Sequence, residues 1–187
     1  MAMLWYLKHH RWIKQHQRSM SIKGLANDTR GAAAVEFALV AIPYFALIFA
    51  IIQSGLIFFS QEVLQNATQQ TARLIMTGQA QTSGMTAQQF LQDVCAEGSP
   101  LLTCASLNVN VQTFPSFSAI TQVNPVVNGN FNTSTLLYSL GGPGDIVLVQ
   151  VFYQLPVFAG PLNFSFATVN GSQRLLEATA VFRNEPY

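Results

Sequence analysis

The 187 residues leave room for one modest domain and an appended segment, and with half of them hydrophobic and only 9% charged the chain is too apolar to face water throughout. The formal net charge of +1 conceals an asymmetry: Lys8, Arg11, Lys14, Arg18, Lys23 and Arg30 precede residue 31 against one acid, Asp28, whereas the rest carries Arg73, Arg174 and Arg183 against seven acids. All three histidines, His9, His10 and His16, lie in the same leader, so nothing beyond it offers an imidazole, which weighs against an enzyme, a metal site or any other cofactor.

Residues 1–31 form the basic leader. Six cations beside an apolar segment are a topology signal that also suits anionic lipid, and no nucleic-acid partner is expected. From Ala32 to Phe59 the single charge is Glu36. Phe37–Phe59 is about 23 residues at about 1.5 Å each, enough to cross a hydrocarbon core of about 30 Å. Pro43 lies inside this run, which a membrane helix tolerates by re-satisfying the freed carbonyl locally. The positive-inside rule places the leader in the cytoplasm and everything past the run outside. A cleaved secretory signal fits less well, because its apolar region is about 7–15 residues and small residues must follow it; here Ser60-Gln61-Glu62 follow.

The spacing predicts that the helix continues beyond the membrane segment, 32–60, through an outer extension, 61–78. Val63, Leu64, Ala67, Leu74 and Ile75 fall on one stripe and Gly78 supplies a stop, giving one rod of about 45 residues. The stripe covers either the outer domain's own core or another subunit. Residues 79–187 are rich in Gln, Ser, Thr, Asn and Gly, as in a small exported domain. Thr86–Val94 predicts a helix opened by a Thr-x-x-Gln capping box. Leu107–Phe114, Asp145–Tyr153 and Arg174–Arg183 predict strands, with turns at Asn128-Gly129-Asn130 and Gly141-Gly142-Pro143-Gly144. The expected fold class is α+β, a long N-terminal transmembrane helix continuing into a small domain with a mostly antiparallel sheet.

Cys95 and Cys104 enclose eight residues. In an oxidising compartment they pair as a disulfide; two buried thiols, or half of a metal site with no His or further Cys nearby, are the alternatives. Gly141-Gly142-Pro143-Gly144 lacks the lysine and helix of a phosphate loop, and no serine sits in a G-x-S-x-G elbow.

Chemistry concentrates in Arg30-Gly31-Ala32-Ala33-Ala34-Val35-Glu36-Phe37. A carboxylate at the bilayer centre costs about 2.5–3.5 kcal/mol even on lenient scales, so Glu36 either stays at the headgroups, where it suits the helix dipole, or has a partner. A basic leader, glycine, four small or apolar residues, glutamate, an aromatic and about 20 apolar residues resemble the processing and assembly signal of type IV pilin-like proteins. Within that group, Arg30, Gly31, Val35, Glu36, Phe37, Gly55, Phe58, Phe59, Gln61 and Ala72-Arg73 resemble the TadE-like family of the tight-adherence (Flp) pilus system. The ending Phe182-Arg183-Asn184-Glu185-Pro186-Tyr187 is also similar, and Gly144-Asp145 more loosely.

That resemblance implies a bacterial inner-membrane, single-pass protein whose C-terminal domain is periplasmic or exported. It implies cleavage by a prepilin peptidase between Gly31 and Ala32, and an assembly role for Glu36 and Phe37. The partners it implies are other pilins or pseudopilins and inner-membrane pilus assembly proteins, with a minor-pilin role in adhesion because major Flp pilins are very short. The alternative is an uncleaved anchor whose exported domain scaffolds or binds.

Overall fold

The computed structural model describes residues 31–160 and 164–186; the predicted cationic leader lies outside the described residues, as does Tyr187. The chain divides into two compact units, one ending at Tyr44 and one running from Phe45 to Tyr187. One helix, α1 (Ala32–Met76, 45 residues, with Pro43 inside it), begins in the first unit and ends in the second. In the first unit Val35, Phe37, Leu39, Val40, Ile42 and Tyr44 all expose more than half of their surface.

The second unit is an α+β domain built on residues 45–76 of α1. After it come α2 (Gln79–Ser83), α3 (Ala87–Glu97), β1 (Leu107–Phe114), β2 (Val126–Val127), β3 (Asn130–Phe131), β4 (Ile146–Pro156) and β5 (Gln173–Arg183). β1, β4 and β5 form an antiparallel sheet with β4 central, in register at Val109↔Val151 and Val149↔Ala180. β2 and β3 make a separate ribbon. Its two-residue turn, Asn128-Gly129, has φ of 52° and 74°, the left-handed pair that matches strand twist and that Asn-Gly accepts most readily.

Burial explains why β4 is a continuous apolar run rather than an alternating one. Val147, Val149, Val151 and Tyr153 point into the main core with Leu64 and Ile75 of α1 and Phe90 and Val94 of α3. The other face of β4 carries Ile146, Leu148, Gln150 and Phe152, all buried. There Phe131 lies 5.9 Å from the Phe152 ring. Gln150 is wholly buried and fully engaged: its Oε1 accepts from Asn110 Nδ2 at 2.9 Å and from Val123 N–H, and its Nε2 donates to Glu177 Oε1 at 2.7 Å and to Val123 C=O. A buried amide must be satisfied this way, since an orphaned one costs about 1–3 kcal/mol, and here the requirement ties the long β1–β4 connection to the sheet.

The stripe on α1 covers the domain's own core: Leu64, Ala67 and Ile75 are buried, and Val63 and Leu74 pack partly buried against them. α1 ends at Met76, two residues before Gly78 adopts φ 79° and returns its N–H to Ile75 C=O. α3 opens on the predicted capping box, Thr86 accepting from Gln89 N–H and donating its own N–H to Gln89 Oε1 at 2.8 Å. Strands β4 and β5 run to Pro156 and from Gln173, past the predicted ends. They lengthen because each extra residue pairs with the other strand, up to Pro156↔Gln173.

Cys95 on α3 and Cys104 before β1 are joined as a disulfide with Cα atoms 5.4 Å apart. Closing so short a loop is worth about 2–3 kcal/mol on the chain-entropy model. Urea unfolding in detergent should therefore show a Cys95→Ala/Cys104→Ala variant destabilised by about that amount, and thiol labelling of the denatured native chain should require prior reduction.

Tyr138 stands edge-on to Phe90, ring centroids 6.4 Å apart. Burial, with a smaller contribution from the Asp93 carboxylate, pushes its phenol up to about 12. Folding therefore favours the neutral phenol, and this contribution is complete below the unfolded value of about 10 and lost as pH rises towards 12. Stability measured across that window should fall less steeply in Tyr138→Phe than in the native chain.

Candidate functional site

Gly31, Ala32, Glu36 and Phe37 fall together at the head of α1. Ala32 is the first α-helical residue. Gly31 precedes it, exposed, with no atom within 4 Å of the position a Cβ would take. The Gly31–Ala32 peptide thus lies at the start of the α-helix, with Gly31 itself in a 3-10 turn, where local extension disturbs few α-helical hydrogen bonds. Glu36 is the fifth residue of α1 and is exposed, and Phe37 beside it is 72% exposed.

Further along, in the second unit, α1 changes character. Its buried residues are Gln53, Ile57, Ser60, Leu64, Ala67, Thr68, Thr71, Ala72 and Ile75, a stripe recurring every three or four residues. Much of it is small or polar. Thr71 meets its own need by donating from Oγ1 to Ala67 C=O at 2.9 Å.

Beside the stripe runs a second set of contacts that the sequence reading missed. Gln61 Nε2 donates to Glu177 C=O at 2.7 Å and Gln65 Nε2 to Thr179 C=O at 3.1 Å. β5 is an edge strand, and these carbonyls belong to its open side. Four residues of helix rise about 6 Å and two residues of strand about 6.8 Å, so glutamines four apart can follow alternate carbonyls. The signal was the i, i+4, i+8 series Gln61, Gln65, Gln69. At Gln69 the seam opens into a groove of about 320 Å³ lined also by Arg73, Met76 and Val181.

The C-terminal segment closes the same seam. Asn184 donates from Nδ2 to the carbonyls of Leu140 and Gly142 at 3.0 and 3.1 Å, and exchanges backbone hydrogen bonds with Gly144 and Asp145. Glu185 N–H caps α1 by donating to Met76 C=O at 2.8 Å. Arg183 Nε donates to Gly144 C=O. Gly141 and Gly144 have φ of 66° and 80°, a backbone that only glycine adopts cheaply. The Gly-Gly-Pro-Gly turn is therefore a receptor for the C-terminus.

These features define a small α+β domain on one helix that is long and apolar enough to cross a membrane. Residues 31–73 match the model of the family described as TadE-like protein, so this segment, with Gly31, Glu36, Phe37 and the Gln61–Arg73 stretch, is TadE-like and points to tight-adherence pilus systems. No curated protein and no solved structure matches the chain.

A Gln65→Leu variant removes the donor to Thr179 and should lower stability by about 1 kcal/mol, read by urea unfolding followed in near-UV circular dichroism.

Proposed function

We propose that the chain is a TadE-like minor pseudopilin, cleaved between Gly31 and Ala32 and taking part through its helix in assembly of an adhesive Flp-type pilus, with no catalysis of its own. The observation that carries this is the coincidence of the TadE-like match with a helix that begins at Ala32 and holds its first acid at Glu36. The leader is cytoplasmic on this proposal and the domain periplasmic or exported.

Cleavage would do two physical things. It removes the six leader cations that hold the helix in its inserted position, and it creates an α-amino cation four residues before Glu36. In an assembled filament that amine can pair with the Glu36 carboxylate of a neighbouring copy. A carboxylate that is costly to bury alone then reports correct register, because the cost is offset only when the partner arrives. Phe37, exposed beside it, offers apolar surface to the same neighbour. Lipid, the prepilin peptidase, other pilins and the inner-membrane assembly proteins are the proposed partners.

An uncleaved anchor carrying a scaffold or binding domain is the second possibility, favoured by how completely the domain is built onto α1. Glu36 separates the two. Glu36→Leu should leave membrane insertion intact and abolish piliation, scored by electron microscopy of surface pili, and N-terminal sequencing should find Ala32 first only in cells that hold the prepilin peptidase. Normal pili in Glu36→Leu cells would remove the assembly role of this carboxylate.

A further inference from the structure

We propose that the described parts of the connection between β4 and β5, residues 157–160 and 164–166, led by Phe158, dip into the membrane interface as a second lipid contact beside α1. This rests on α1 crossing the bilayer. Gln53 Nε2 donates to Phe158 C=O at 2.9 Å, and a Cβ on Gly160 would meet the Phe49 ring at 3.1 Å, so this connection lies against α1 at Phe49 and Gln53. Both positions are inside the apolar run. Counting from Phe37, Gln53 is the seventeenth residue of the run, so the shortest spanning helix, about 17 residues, ends at Gln53 with Phe49 about 6 Å inside it.

The membrane-crossing length leaves two placements. If the bilayer stopped short of Gln53, the apolar residues left between Phe37 and Ile52 would be about 16, below the roughly 17–25 a spanning helix requires. Extending the span the other way would draw Glu36 into hydrocarbon at a cost of up to about 2.5–3.5 kcal/mol. Keeping Glu36 at the headgroups carries Gln53, and the chain hydrogen-bonded to it, into the membrane.

The connection has the composition for that place. From Pro156 to Gln173 it holds no charged residue and three phenylalanines, Phe158, Phe164 and Phe166. Phe158 is 74% exposed, the most exposed large hydrophobic residue among those described, and Phe164 is 49% exposed with its ring edge-on to Phe166 at 4.7 Å. Exposed phenylalanine side chains transfer favourably into lipid and anchor segments that lie in the interface. Gln53, polar within an apolar run, donates from Nε2 to Phe158 C=O, while its buried Oε1 has no partner among the described residues. Val157 N–H is likewise bonded, to Ser172 C=O.

The test uses the full-length chain in phosphatidylcholine–phosphatidylglycerol vesicles, with Trp5 and Trp12 replaced by Phe and single tryptophans introduced as Phe158→Trp, Phe164→Trp, Leu47→Trp and Leu137→Trp. Leu47 reports the spanning helix, and Leu137 is exposed on the β1–β4 connection. The expected result is that Phe158→Trp emits to the blue of Leu137→Trp and is quenched several-fold more by lipid brominated near the headgroup than by aqueous iodide, with Phe164→Trp following it. If Leu47→Trp is quenched by brominated lipid while both connection probes behave like Leu137→Trp, the second lipid contact is overturned and the span survives. Probes shielded from both quenchers would overturn it in favour of a protein neighbour, and a Leu47→Trp untouched by lipid would overturn the span itself.

Discussion

An edge strand with open carbonyls and a helix with a polar flank satisfy each other in this domain, and the remaining packing follows from their parallel seating. α1 and β5 run in the same direction, in contact from Gln61 with Glu177 to Met76 with Glu185. Left open, the β5 edge would be a template for pairing with another chain. The glutamine side chains cover it without the cost of burying a charge. Each such bond is worth only about 1 kcal/mol net. The buried stripe beside them, Leu64, Ala67 and Ile75 against the valines of β4, supplies the larger part, since a fully buried aliphatic side chain contributes about 1.5–3 kcal/mol.

Parallel seating also decides which end of the domain meets the apolar run. β5 leaves the level of the run as it proceeds from Gln173, so the connection before it is held at that level and the C-terminus is carried to the far end of α1. There Glu185 meets the last helical turn and Asn184 the glycine turn. A segment that looks dispensable by its terminal position is thus a cap on the helix and a lock on the β1–β4 connection. Among the described residues, the two ends of the seam differ in kind: one is polar and hydrogen-bonded, the other aromatic and uncharged.

Much of this was legible from residues. The continuous helix to Met76 followed from a stripe at helical spacing, the β1 strand from strict alternation in Leu107–Phe114, and the α3 start from Thr86 and Gln89. Asp145–Tyr153 was legible as a strongly apolar strand, whereas its central position between β1 and β5 came only with the fold, where burial on both faces accounts for the lack of alternation. What escaped were long-range pairings of polar groups. Gln53 to Phe158, Gln61 to Glu177 and Asn184 to Leu140 join residues 44 to 116 apart in sequence, and periodicity carries no information about a partner that distant. Gln53 shows the effect on boundaries. By hydropathy it is a blemish near the end of a membrane segment, whereas in the fold its amide holds the β4–β5 connection against the helix.

The charge distribution gives the proposed processing step its direction. On the proposed topology the six leader cations lie on the inner side and, while attached, would oppose outward movement of the helix. Beyond Gly31 the chain has three basic residues against seven acids, so after a cut at Gly31 the inner end carries only the new amine and Glu36, which can neutralise each other's charge within a pair of subunits. The contacts between the domain and α1 begin at Phe49 and Gln53. On the proposed assembly, the exposed side chains of Val35, Phe37, Leu39, Val40 and Ile42 would meet first lipid and then neighbouring helices, so transfer to a filament would exchange one apolar surrounding for another without requiring the domain to unfold.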